Sequence, residues 1–253
     1  MAEVILLGGF ASTQRDYDQY AGMVEASSGR ETSGYGFNGA LNELETVAES
    51  IDHRDVITHS GGLLVAHDAM NLGAMPRSVT AIAPSIPSQV RKLVSAGLLI
   101  SLNNPVQQEQ FHEKVQTASA KDEVLSNLTL SIRSVRRLGH FASFSFMESI
   151  SLQGVSVKAA LMSHDGLFDN DKIPRAAIER AMRCGVEVVR VAGVHTSFTG
   201  SPVEVLERLE DAPGWLDGAE IADGPTFDSP LMYCVGAFRK KLENRLPLRR
   251  AVA

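Results

Sequence analysis

Cysteine is nearly missing: Cys184 and Cys234 are the only two in 253 residues. Two thiols cannot make the disulfide framework of a small secreted domain or a Cys-based zinc site. They are expected to act as small apolar residues in a reducing compartment. Positive charge is also scarce, with 24 Lys and Arg against 30 Asp and Glu and a formal net charge of -6. Nucleic-acid binding asks for a basic face, so that class is disfavoured. The one basic concentration, Arg239 to Arg250 in the tail, reads as a solvated terminal helix. No apolar run reaches the roughly 18 residues that span a bilayer, so stable membrane insertion is not expected. The N-terminus enters an apolar run at once, with no basic segment or cleavage site of a secretory signal; a cytoplasmic location is the expectation. Length and a 44% hydrophobic content suit one large α/β domain.

What is present is an alternation of short apolar runs and amphipathic segments. Val4 to Leu7 is wholly apolar and ends at Gly8-Gly9, the pattern of a strand buried on both faces. Similar runs at 55–58, 78–83, 156–162 and 186–191 read as strands, and 32–37 as a glycine-broken one. Residues 14–27, 39–50, 61–70, 174–184 and 202–211 read as helices. Strands alternating with helices imply right-handed crossovers and a parallel sheet between two helical layers. Between 85 and 154 the alternation stops. Segments 88–99, 105–118, 121–137 and 140–150 all read as helices, as an inserted lid or cap would. The domain reading is a core of 1–84 and 155–253 with that insertion. The tail from Pro213 is loop-rich before a last helix near 231–245.

The most informative stretch is Thr58-His59-Ser60-Gly61-Gly62, where a buried strand runs directly into a helix. A serine on so sharp a turn stands at the carboxyl edge of the sheet with its hydroxyl exposed. The helix that starts there directs amides and its positive end at a developing oxyanion. The plainer alternative is a helix-capping serine in a tight turn. A serine needs a base, and the base needs an orienting acid.

This stretch resembles the Gly-x-Ser-x-Gly elbow of the α/β-hydrolase family, with Thr58 in place of the first glycine. The resemblance implies the chain order Ser, then acid, then His. It makes Ser60 the nucleophile and His195, in the loop past the last apolar strand, the base. The loop Ser163 to Pro174 resembles the family's Gly-x-x-Asp acid loop; Gly166 and Asp169 fit its spacing, so Asp169 is the preferred acid, with Asp165 and Asp171 as alternatives. Helix capping ahead of Pro174 is the plain alternative for any of them. The loop after the first strand, Gly8-Gly9-Phe10, lies where the family often carries His-Gly-x. The amides of Phe10 and Gly61 are then the oxyanion donors. The same loop lacks the fingerprint of a phosphate-binding glycine loop. His59 is expected to pack or hydrogen-bond, and His164 is a weaker competitor for the base.

The implied fold is an α/β-hydrolase core without its two leading strands, a mostly parallel sheet of about six strands under a helical lid. The implied activity is hydrolysis of an ester, thioester or amide through an acyl-enzyme, with no metal or organic cofactor. Apolar residues of the 85–154 block (Leu98, Leu99, Phe111, Phe141, Phe144, Phe146, Met147) suggest a small-molecule substrate with an apolar acyl group, Phe10, Phe144 and Phe146 touching it. The alternative for that block is core packing. Two rivals keep the scaffold: a lyase or cofactor-free oxygenase using the same Ser and His, and an inactive binding protein, for which Thr58 and Gly8 are the hints. A homodimer is left open.

Overall fold

The structure is a computed structural model that describes residues 2–9, 12–84, 143–165, 170, 173–195 and 197–215. The expected helices within 85–142 and near 231–245, and Cys234, lie outside the described residues. Six strands form one sheet: β1 (Val4–Leu7), β2 (Thr32–Tyr35), β3 (Asp55–His59), β4 (Ser78–Ile82), β5 (Ser156–Met162) and β6 (Val186–Val191). Their order is β2-β1-β3-β4-β5-β6, and every pair is parallel. The helices are α1 (Gln14–Ser28), α2 (Phe37–Asn42), α3 (Leu44–Ile51), α4 (Gly62–Asn71), α5 (Ser143–Leu152), α6 (Arg175–Arg183), α7 (Ser197–Gly200) and α8 (Pro202–Glu210).

The continuous apolar runs follow from two-sided burial. All four residues of β1 are buried, and Leu6 and Leu7 have no exposed surface. Each such side chain contributes about 1.5–3 kcal/mol. Alternate residues serve opposite layers. Ile5, Leu7, Val56, Val79 and Ala159 pack with residues of α3, α4, α5 and α6. Val4, Leu6, Ile82, Ala160 and Val189 pack with Tyr17, Ala21 and Val24 of α1 and Val205 of α8. A capping box starts α1: Thr13 Oγ1 accepts from the Asp16 amide, and the Asp16 carboxylate accepts from the Thr13 amide.

Two expectations change. The single helix over 39–50 is two, α2 and α3, joined at Glu43 outside helical geometry (φ -115°, ψ 41°). Phe37, which a helix beginning at 39 leaves out, joins Ala40, Val47, Ala48 and Ile51 in one cluster. Helix α5, assigned by the sequence to the inserted block, packs on the sheet: Phe144, Met147 and Ile150 are buried in the layer of α4 and α6. The start of the tail also has a place. Val189 of β6 bridges Gly214 in antiparallel fashion, the Arg190 amide donates to the Pro213 carbonyl, and the Arg190 guanidinium lies 4.2 Å from the Trp215 ring centroid. This segment covers part of β6, the last strand of the sheet among the described residues.

At the amino-terminal edge of the strands, Asp55 joins β3 to its surroundings. Its carboxylate accepts from Arg77 Nε (2.8 Å), Ser78 Oγ (2.7 Å) and Arg30 (2.6 Å). These partners, Arg77 first, hold the carboxyl well below the usual range despite opposing desolvation. The opposite edge carries Ser60 and the loops of Asp165 and His195.

Candidate active site

Strand order reverses between β1 and β3: the chain leaves β1 toward β2, then crosses back to β3 on the other side. Loops diverge at such a switch point and leave a crevice above the carboxyl ends. The loop after β1 holds Gly8-Gly9, and the turn after β3 holds Ser60.

Ser60 has φ +52°, a left-handed conformation that costs a non-glycine residue about 1–2 kcal/mol. Its amide still donates to the Ile82 carbonyl at 2.9 Å, so the ladder with β4 continues into the turn. Gly61 then caps α4, a ten-residue helix starting at Gly62, which places the Gly61 amide at the helix's positive end. Gly62 has no room for a side chain: a Cβ would lie 2.3 Å from the Leu7 carbonyl oxygen and 3.0 Å from that of Gly8. This close approach of α4 to β1 is the physical reason for a small residue two after the serine. At Gly9 a Cβ would lie 2.7 Å from Ser60 Cβ and 2.9 Å from the His59 carbonyl oxygen. The first loop therefore rests directly on the elbow.

Thr58 occupies the elbow's first position, fully buried, and its hydroxyl has no hydrogen-bond partner among the described residues. Phe10, the other expected oxyanion donor, lies outside the described residues; Gly9 and Ser12, on either side of that gap, are joined. Ser12 Oγ donates to the Gly9 carbonyl at 2.7 Å and accepts from the Phe37 amide at 3.0 Å. Sequence reasoning missed Ser12. Its only signal was a hydroxyl residue five after the end of an apolar strand.

Asp165 and His195, expected as a possible acid and as the base, meet across the ends of β5 and β6. Pairing runs on past both strands, with the Ser163 amide donating to the Val191 carbonyl (2.8 Å) and the His164 amide to the Gly193 carbonyl (2.9 Å). Asp165 is the next residue, and its Oδ2 lies 2.9 Å from His195 Nδ1. The pair is buried, with side-chain exposures of 1% and 8%. A carboxylate there accepts the Nδ1 proton and leaves Nε2 as the basic nitrogen. Among the described residues the carboxylate on His195 is therefore Asp165, given above as an alternative; the preferred Asp169, and Asp171, lie outside the described residues. Motif spacing pointed to Asp169, whereas the length of the β5–β6 ladder brings Asp165 to the ring. Asn170 ties the same loop down by donating to the Met162 carbonyl at 2.7 Å.

The histidine loop is braced by Ser197, whose Oγ accepts from the Val194 amide at 2.9 Å. His59 joins it to the elbow: His59 Nε2 lies 2.9 Å from the His195 carbonyl oxygen, and the two ring centroids are 5.2 Å apart. Phe144 and Phe146 pack elsewhere. Phe144 is buried in the α4–α5–α6 layer, and the Phe146 ring lies 4.0 Å from that of His67 on α4. These contacts fit the core-packing alternative given for both. Among the described residues no group of three or more His, Cys, Asp or Glu is placed to hold a metal ion, and no helix is long and apolar enough to cross a membrane.

No family model and no curated protein matches the sequence. Solved structures do. A carboxylesterase from the ammonia-oxidising thaumarchaeon Nitrososphaera gargenis superposes with TM-score 0.54 at 13% identity, covering 82% of this chain and 88% of that one. NosK from Streptomyces actuosus gives 0.53 at 17% identity, covering 82% and 95%. A thermophilic esterase from Thermogutta terrifontis gives 0.51 at 11% identity, covering 82% and 88%. The fold is that of the α/β-hydrolases. In this sheet β1 is an interior strand, second from one end and flanked by β2 and β3. The elbow, the acid loop and the histidine loop all lie at the carboxyl edge, where open α/β sheets bind ligands.

Proposed function

We propose that the protein is a serine hydrolase that cleaves an ester, thioester or amide through an acyl-enzyme. The observation that carries this reading is the buried Asp165–His195 pair at 2.9 Å, tied through His59 to a serine in left-handed geometry. Ser60 Oγ attacks the carbonyl carbon while its proton passes to His195 Nε2. Asp165 keeps the other ring proton on Nδ1 and steadies the imidazolium. The tetrahedral oxyanion is held by the Gly61 amide at the start of α4 and by the Phe10 amide. The C–O, C–S or C–N bond then breaks, and the leaving group departs with the proton held on Nε2. Water, deprotonated by the same imidazole, attacks the acyl carbon and frees Ser60. No step draws on a metal or organic cofactor. An apolar acyl group is supported by the aromatic and leucine content of the 85–142 segment, a sequence argument. The test is turnover of short p-nitrophenyl esters: Ser60→Ala should abolish it, and undiminished turnover by that variant removes the assignment.

A further inference from the structure

We infer that His59 is a positioning residue for the proposed reaction, holding the His195 loop over the Ser60 elbow through its Nε2–H bond to the His195 carbonyl; this rests on the hydrolase reading above. The need for such a tie follows from the topology. Strands β3 and β6 are separated in the sheet by β4 and β5, about 14 Å at ordinary strand spacing. The histidine loop must therefore reach back over two strands to serve a nucleophile on β3. Something must define where it stops.

His59 touches three of the loops at this edge: its own elbow, the His195 loop and the Gly9 loop. Its backbone leads directly into Ser60. Its ring stacks on Phe198, at 5.7 Å between centroids and 24° between planes, and so grips the turn that follows His195. The edge bearing Nδ1 faces Gly9, where a Cβ would stand 3.3 Å from that nitrogen. Nε2 reaches the His195 carbonyl at 2.9 Å. A carbonyl oxygen can only accept, so Nε2 carries the proton and the tautomer is set. His59 is 5% exposed, which leaves few other positions open to its ring.

The protonation state suits a brace rather than a second base. Burial, together with the His195 imidazole beside it, pushes His59 down to about 3; the bond to the His195 carbonyl and the Asp165 charge oppose this without reversing it. His59 thus stays neutral at working pH. It neither takes the Ser60 proton nor sets a second cation beside the imidazolium formed on His195.

The experiment compares kcat and KM for p-nitrophenyl butyrate in wild type, Ser60→Ala, His59→Phe and His59→Gln. Phenylalanine keeps a ring against Phe198 but has no donor; glutamine gives up the ring and keeps an N–H at similar reach. Displacing a reacting group by about 1 Å can cost on the order of 100-fold. The expected result for His59→Phe is therefore a kcat lower by about 30- to 100-fold with KM within about threefold. His59→Gln should recover to within about fivefold of wild type. Wild-type kcat in His59→Phe, or equal impairment of both variants, overturns the inference and leaves the hydrolase reading intact. A wild type without Ser60-dependent turnover overturns both. Should His59→Phe fail to fold, the wild type decides by 15N NMR of its histidines. His59 should remain the neutral Nε2–H tautomer from pH 8 to 4.5, and the Nδ1–H tautomer, or titration within that range, overturns the inference.

Discussion

Acid should weaken this fold through His59, by an amount that the burial of one ring sets. In the unfolded chain the imidazole returns to its ordinary value near 6.5, while in the folded protein it is held at about 3. Between those values the unfolded state binds a proton that the folded state does not. The stabilisation from keeping His59 neutral is therefore complete above pH 6.5 and is lost as pH falls below it. The limiting slope is about 1.4 kcal/mol per pH unit, so the step from pH 7 to pH 5 removes about 2 kcal/mol. Against a typical total of about 5–15 kcal/mol that is a large share. The charged and titratable groups acting on the ring are His195 and Asp165, while Phe198 and Gly9 pack against it without charge. Urea unfolding followed by circular dichroism at pH 7, 6 and 5, on wild type and His59→Gln, isolates the contribution, because every other acid-sensitive group is common to both. The glutamine variant should be the less stable at pH 7. Its deficit should shrink by about 2 kcal/mol on reaching pH 5. Parallel stability curves for the two proteins would refute the reasoning.

Further substitutions probe the other contacts. Asp165→Asn should lower kcat by about 10³- to 10⁴-fold with KM little changed, as expected when the carboxylate that orients the base is lost, while Asp169→Asn should stay within a few-fold of wild type; steady-state kinetics in which the two exchange places would move the acid to Asp169. Gly62→Ala would press a methyl group against the Leu7 carbonyl and should destabilise by about 1–3 kcal/mol or more, read as a fall in urea midpoint; an unchanged midpoint would mean that α4 and β1 are not in contact there. Thr58→Val keeps the shape and removes a buried hydroxyl that has no partner among the described residues. It should therefore raise stability by about 1 kcal/mol, and a loss would point to a partner for that hydroxyl.

Much of the architecture was legible because buried parallel strands must be apolar along their whole length. Val4 to Leu7, Val79 to Ala83 and Val186 to Val191 could be read as strands before any contact was known, and a strand meeting a helix at Thr58-His59-Ser60-Gly61-Gly62 marked the elbow by local chemistry alone. His195 was legible for a related reason, as the one histidine beyond the acid loop. The bend at Glu43 was not. It depends on Phe37 and Val47 reaching one cluster, a contact that periodicity within a single segment does not contain.

Local sequence, then, determined which side chains of this protein could do chemistry, since a serine on a strained turn and a histidine after a terminal strand are properties of short segments. Tertiary structure decided which of them meet. Asp165 meets His195 because backbone pairing between β5 and β6 runs two residues beyond the strands, and His59 reaches the His195 carbonyl across 136 residues of chain. Spacing along a chain carries neither fact, because both depend on where separate loops come to rest above one sheet edge.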